Sequence, residues 1–192
     1  RIKYMFPKAH ACAYVMMAFR IGYFKVYYPL AYYAAYFSIR ASAFNYELMC
    51  LGKERLRMHM AEYKRRMNSS DFKEKLSQKE EDTYKDMKLV EEMYARGYDF
   101  EPIDIYTARA HAFQIVSDRK IMPCLSTIDG LGDKAAEQIV EAVADGAFLS
   151  REDFRNRCKV SATIADKMAE LGLLGTIPIS NQMSLMDFLM QG

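Results

Sequence analysis

The chain opens on a long run of apolar and small positions. Between residues 9 and 28 the only charged side chains are Arg20 and Lys25; Pro29 then breaks the run, and residues 30–40 resume it. A proline ends one helix and starts another, so the pattern predicts a buried pair of soluble helices. No uncharged stretch reaches the ~20 residues that a membrane-spanning helix needs. Residues 53–67 and 79–96 read as two strongly charged helices, divided at Asn68-Ser69-Ser70-Asp71. In the second, Tyr84, Met87, Val90 and Tyr94 recur at helical spacing, and Gly97 stands where a helix would end. The period then drops to two over residues 102–106 and 113–116, which predicts two short strands. From Met122 onward the pattern is helical again. The reading is a mainly α chain: a helical block over 1–97, a short β ribbon connector over 98–120, a smaller helical module over 121–178 and a terminal peptide over 179–192.

Composition changes this little. The 192 residues are 51% hydrophobic, enough for one sizeable core or two small ones. A formal charge of +2 imposes no global field, so a polyanionic partner would have to be held by local features. Cys12, Cys50, Cys124 and Cys158 have no C-x-x-C spacing, which argues against a zinc or redox site and for free thiols. No signal peptide is visible. The start at Arg1, with an apolar helix beginning at once, points to a piece of something longer.

The chemistry concentrates around Ser126-Thr127-Ile128-Asp129-Gly130-Leu131-Gly132-Asp133-Lys134. The spacing fits neither a P-loop nor a dinucleotide fingerprint. Residues 123–128 read as a short helix, so the unit is helix, G-h-G hairpin, helix, with Ala136 and Ile139 facing inward. Gly130 and Gly132 can adopt conformations closed to other residues and leave backbone N–H groups uncovered. Those donors sit at a helix N-terminus, where the dipole favours anions, and Lys134 adds a cation. Such a loop grips phosphate and reads no bases. A shift of 29 residues repeats the unit: Leu125 meets Phe154, Leu131 meets Val160, Ala136 meets Ala165, Ile139 meets Met168, and Gly130-Leu131-Gly132 meets Lys159-Val160-Ser161. The second copy lacks glycines, but Ser161 can cap its helix, with Arg155, Arg157 and Lys159 around it. The candidate DNA-binding set is Gly130, Leu131, Gly132, Asp133, Lys134, Lys159, Val160 and Ser161.

Two further segments carry candidates. In Tyr4-Met5-Phe6-Pro7-Lys8-Ala9-His10-Ala11-Cys12-Ala13-Tyr14, His10 and Tyr14 lie one helical turn apart and Lys8 stands at the helix start. A polyphosphate suits that position; a satisfied histidine near a helix cap is the alternative. The tail Gln182-Met183-Ser184-Leu185-Met186, with Phe188 beyond it, has a leading glutamine and apolar anchors that suit docking into a partner's groove.

Taken together these segments resemble one family, the alpha chain of bacterial DNA polymerase III in its PolC form. The front segment is similar to that family's Y-M-F-P-K-A-H-A-x-A-Y. It continues through Arg20-Ile21, Tyr23-Phe24-Lys25-Val26, Tyr28-Pro29-Leu30 and Tyr36-Phe37-Ser38-Ile39-Arg40. Glu92-Met93-Tyr94-Ala95-Arg96-Gly97 also matches, as do Phe148-Leu149-Ser150 with Glu152-Asp153, and the tail varies the family's N-Q-L-S-L-F, with Met183 for Leu and Met186 for Phe. The resemblance implies that residues 1–97 are the C-terminal part of the polymerase fingers, with Lys8, His10 and Tyr14 nearest the incoming dNTP. It implies that the paired hairpins hold duplex primer-template DNA, and that Gln182, Met183, Ser184, Leu185, Met186 and Phe188 dock on the sliding clamp. It places the protein at the cytoplasmic replisome, away from membranes. Polymerase chemistry needs carboxylates that hold Mg2+; the family carries them in a palm upstream. Asp104 and Glu101 sit in the connector and read as surface. The expectation is therefore no catalytic or metal-binding residue and no cofactor in this stretch, and no synthesis by it alone. A non-enzymatic helix-hairpin-helix DNA-binding adaptor and a helical scaffold without nucleic acid are the rival readings.

Overall fold

The computed structural model describes residues 7–69, 71, 75–175 and 177–179. They form eight α-helices: α1 (Lys8–Tyr27), α2 (Pro29–Ile39), α3 (Tyr46–Met49), α4 (Lys53–Met67), α5 (Gln78–Ala95), α6 (Asp133–Ala144), α7 (Arg151–Cys158) and α8 (Ala162–Glu170). Three short strands, β1 (Asp99–Phe100), β2 (Gln114–Ile115) and β3 (Lys120–Met122), lie between α5 and α6, and a 3-10 turn covers Leu125–Thr127. The chain is mainly α, as its pattern predicts.

Of the two predicted strands one is present: β2 lies within residues 113–116, while β1 and β3 fall outside both predicted stretches. The sheet order is β1-β3-β2, with β3 parallel to β1 and antiparallel to β2. Residues 102–106 form no strand, although Ile103 and Ile105 are buried as alternation predicts. Pro102 brings no N–H to a ladder, and the Asp104 carboxylate accepts from the Tyr106 N–H at 2.9 Å and the Thr107 hydroxyl at 3.0 Å, which closes a turn there. The central strand is β3, which starts on the last residue of the expected ribbon and runs into the expected helical module. It is a septum between two cores. Neighbouring residues of a strand face opposite ways: Ile121 packs with Tyr33, Phe37, Met87 and Val90 of the helical block, while Met122 packs with Leu125, Ile139, Phe154 and Met168 of the C-terminal module.

α5 organises the helical block. Ser77 and Glu80 form a reciprocal capping box at its start, and Arg66, 2.7 Å from Glu80, holds that carboxyl down at about 2. Further along, Tyr33 donates to Glu92 at 2.9 Å, Lys25 pairs with Glu92 at 2.8 Å, and Arg96 donates to the Lys25 carbonyl at 2.9 Å. These contacts tie the end of α1 to α5.

The expected buried helix pair is only half present. α2 buries Leu30, Tyr33, Ala34 and Phe37, but α1 has no buried residue. Phe19 is 75% exposed and Val26 64%. The sequence pattern asks for a cover on every side of α1, and among the described residues α2 is its main neighbour. No helix of the described residues is long and apolar enough to cross a membrane.

Asp86 on α5 gives this block a pH dependence. It is 5% exposed and accepts from the Ala43 N–H at 3.3 Å, while Thr83 donates to the Ala43 carbonyl. Burial pushes its carboxyl up to about 6. A raised folded value means that the protonated form suits the fold: its stabilising contribution is full below the unfolded value of ~3.9 and is lost as pH rises through about 6. Asp86→Asn keeps an acceptor for Ala43 without the charge. Urea unfolding should show a gain on the order of 2–3 kcal/mol at pH 8 that shrinks below pH ~6 and vanishes near pH ~4. A gain independent of pH would contradict this.

Candidate nucleic-acid interface

The first hairpin is a corner held by one buried plug. Leu131 is 5% exposed, and its N–H donates to the Ile128 carbonyl at 3.0 Å. The flanking glycines do different jobs. Gly130 has φ +87°, and a Cβ there would lie 2.9 Å from Cδ1 of Ile164 on α8, so both backbone and space demand glycine. Gly132 has φ −70° and ψ 158°, an extended conformation open to any residue, and a Cβ there would meet nothing within 4 Å. The expectation that both glycines use special conformations therefore holds only for Gly130. What Gly132 leaves bare is the start of α6. No side chain caps this helix, and the Gly132 carbonyl accepts from Ala135 and Ala136. Among the described residues the N–H groups of Gly132, Asp133 and Lys134 have no acceptor, and all three residues are exposed.

The second hairpin repeats the left-handed entry and the extended exit of this corner. Lys159 has φ 53° and ψ 37°, matching the left-handed Gly130, and no other non-glycine among the described residues has positive φ. Val160 is 7% exposed, as Leu131 is, and Ser161, at φ −65° and ψ 156°, reproduces Gly132. Here the Ser161 hydroxyl caps α8 by accepting from the Ile164 N–H at 3.3 Å. Lys159 and Arg155 are exposed, without an ion-pair partner among the described residues.

Arg157, expected beside them at the interface, faces inward instead. It donates to the carbonyls of Ala142, Gly146 and Ala147 and lies over the Phe148 ring at 4.6 Å. The last carbonyls of a helix lack intrahelical partners and attract cations, so Arg157 closes the end of α6. Sequence offers no cue for this, because its partners are backbone carbonyls.

The two hairpins are locked together. Beyond the Gly130–Ile164 contact, Lys167 on α8 donates to the Asp129 carbonyl at 3.0 Å and pairs with Glu47 on α3 at 2.5 Å. His111 lies 3.0 Å from Glu137 and 3.7 Å from Asp133. Asp129, Asp133 and Glu137 thus surround the first corner, with Lys134 exposed among them, while Lys159 and Arg155 flank the second. One hairpin offers open amides and the other offers charge.

On α1, the His10 and Tyr14 ring centroids are 4.4 Å apart, and Tyr14 is 64% exposed. Lys8 is the first helical residue, after Pro7, and lies roughly 200° around the helix from His10. The structure brings His10 and Tyr14 together and leaves Lys8 on another face. Gln182, Met183, Ser184, Leu185, Met186 and Phe188 lie outside the described residues. Among the described residues no group of three or more His, Cys, Asp or Glu side chains is placed to hold a metal ion. Glu101 pairs with Lys120 at 2.8 Å, and the Asp104 oxygens are engaged in their turn.

The two left-handed residues predict opposite outcomes at equivalent positions. Gly130→Ala should destabilise by about 1–3 kcal/mol, through left-handed strain and the Ile164 clash. Lys159→Gly should leave stability unchanged or raise it by up to about 1 kcal/mol. Chemical denaturation of both variants checks this; equal losses would contradict the matched corners.

Residues 97–183 match the family described as "Helix-hairpin-helix motif". Proteins named "DNA polymerase III PolC-type" align over 187 residues, 97% of this chain: that of Streptococcus suis at 47% identity, and that of Streptococcus pneumoniae R6 at 45%. The Streptococcus mutans protein of the same name is 44% identical over the same length. The chain spans 12% of the length of each.

Proposed function

The chain belongs with the PolC-type DNA polymerases III as the counterpart of 12% of their length, and on that premise we propose that it is the fingers-to-clamp end of a replicative polymerase. The observation that carries the reading is the matched pair of corners. Each begins on a left-handed residue, is plugged by a buried apolar one, and presents a helix N-terminus to solvent. Phosphates accept from such amides without regard to base, so the pair grips duplex DNA behind a polymerase active site non-specifically.

Residues 1–97 then serve as the C-terminal part of the fingers. The His10–Tyr14 pair faces the incoming dNTP, and Lys8, on another face of the helix start, adds its charge from the side. The bareness of α1 supports this division over the adaptor reading, since a self-sufficient adaptor has no use for an uncovered apolar helix; the rest of the polymerase supplies the cover. The tail from Gln182 to Phe188 docks on the sliding clamp, which locates the protein at the cytoplasmic replisome. Mg2+ belongs to carboxylates outside this stretch. Glu101 and Asp104 do not fit the ion, because their oxygens serve a surface ion pair and a turn. On this reading the chain alone polymerises nothing.

Gly132→Val tests the reading, because a side chain there meets nothing in the protein. It should cost at least about tenfold in duplex affinity, equally for unrelated sequences, with the fold retained and the salt dependence unchanged, since an amide releases no counterion. In the same assay Gln182→Ala with Leu185→Ala should leave duplex affinity intact and abolish capture by the sliding clamp. Sequence-selective loss, or clamp capture that survives, would overturn the respective assignment.

A further inference from the structure

The charge of the chain is concentrated in one helix outside the hairpins. α4 holds six of the 27 Lys and Arg residues and two of the 25 acidic ones, a net of +4, which leaves 21 basic against 23 acidic for everything else. Lys53, Arg57 and Lys64 fall within about 40° of one another around the helix and span about 16 Å of its length. Lys53 and Lys64 have no ion-pair partner among the described residues, and Arg57 has only the exposed Glu54 at 3.1 Å. The dipole favours Lys64, which stands in the last turn, but helix stability does not account for the cations at the other end. Lys53 and Arg55 stand in the first turn, where the dipole disfavours cations, and Gly52 provides no side-chain cap.

The position of α4 is informative too. Lys167 reaches from Asp129 of the first hairpin to Glu47 of α3, and Cys50 and Leu51, between α3 and α4, pack against the hairpin module's core. The basic helix therefore starts where the hairpin module meets the helical block. Resting on the duplex-binding reading above, the geometry points to a second, electrostatic contact: the Lys53–Arg57–Lys64 flank of α4 holds the phosphate backbone of duplex DNA beyond the part gripped by the hairpins. A span of about 16 Å matches roughly five base pairs at 3.4 Å each. Duplex fits better than a single strand. Single-strand sites stack bases on exposed aromatics, whereas the one aromatic residue of α4, Tyr63, is partly buried and stacks on Tyr84, 6.5 Å between centroids.

The test compares duplexes of about 10 and about 24 base pairs across a salt series, with the 192-residue chain, a Lys53→Ala/Arg57→Ala/Lys64→Ala variant and Gly132→Val. The triple variant should bind the short duplex as the parent does. On the long one it should lose about ten- to a hundredfold at low salt and show a log–log salt slope shallower by about 2–3. An unchanged slope on the long duplex overturns the proposal, as does a loss seen equally on both lengths or only on a 24-nucleotide single strand. If the parent binds neither duplex, it is the underlying duplex-binding reading that fails.

Discussion

The left-handed corner is the constraint from which the rest follows. Two points 29 residues apart turn through positive φ, at Gly130 and Lys159, and each is followed by an apolar side chain sunk into a shared core. Burying a Leu or Val side chain contributes about 1.5–3 kcal/mol, against roughly 1–2 kcal/mol for a lysine held left-handed. Even the non-glycine corner is therefore sustained by its plug. The plug also sets the direction of the following helix, so its first N–H groups emerge at the surface. Gly132 goes further than Ser161: with no side chain to cap its helix, it leaves those donors for an outside acceptor.

The hairpins keep their place relative to the helical block through the septum strand. Ile121 and Met122 are consecutive, nearly inaccessible and in different cores. A shift of β3 by one residue would exchange their environments and disturb both cores at once. The Asp129–Lys167–Glu47 relay crosses the same boundary but is partly exposed, and such pairs contribute ~1 kcal/mol or less. Apolar packing holds the module; the ion pairs set how it sits. The exposed chemistry divides in the same way, with open amides at one corner, exposed cations at the other and a basic helix beside the seam.

Most helices were legible because their patterns run for many turns: residues 79–96 were read from spacing, and α5 occupies Gln78–Ala95. The 29-residue repeat was legible down to the equivalence of Lys159 with Gly130, since plug and inward positions recur at fixed offsets. Of the short strands, β2 was legible within the alternation at 113–116, whereas β1 is too short a ladder to show a period and β3 straddles the boundary between the expected ribbon and the expected helical module. The bareness of α1 was unreadable in principle, since an all-round apolar helix looks the same whether its cover comes from its own segment or another. The turned-in Arg157 was equally silent, and the different roles of Gly130 and Gly132 needed dihedral angles.

The most direct test is amide-resolved NMR of the chain titrated with two duplexes of unrelated sequence. The account predicts that the N–H resonances of Gly132, Asp133 and Lys134 shift first, furthest and alike for both duplexes. If those three amides stay put while other surfaces respond, or respond to one sequence alone, the amide-to-phosphate contact is not how this protein holds DNA.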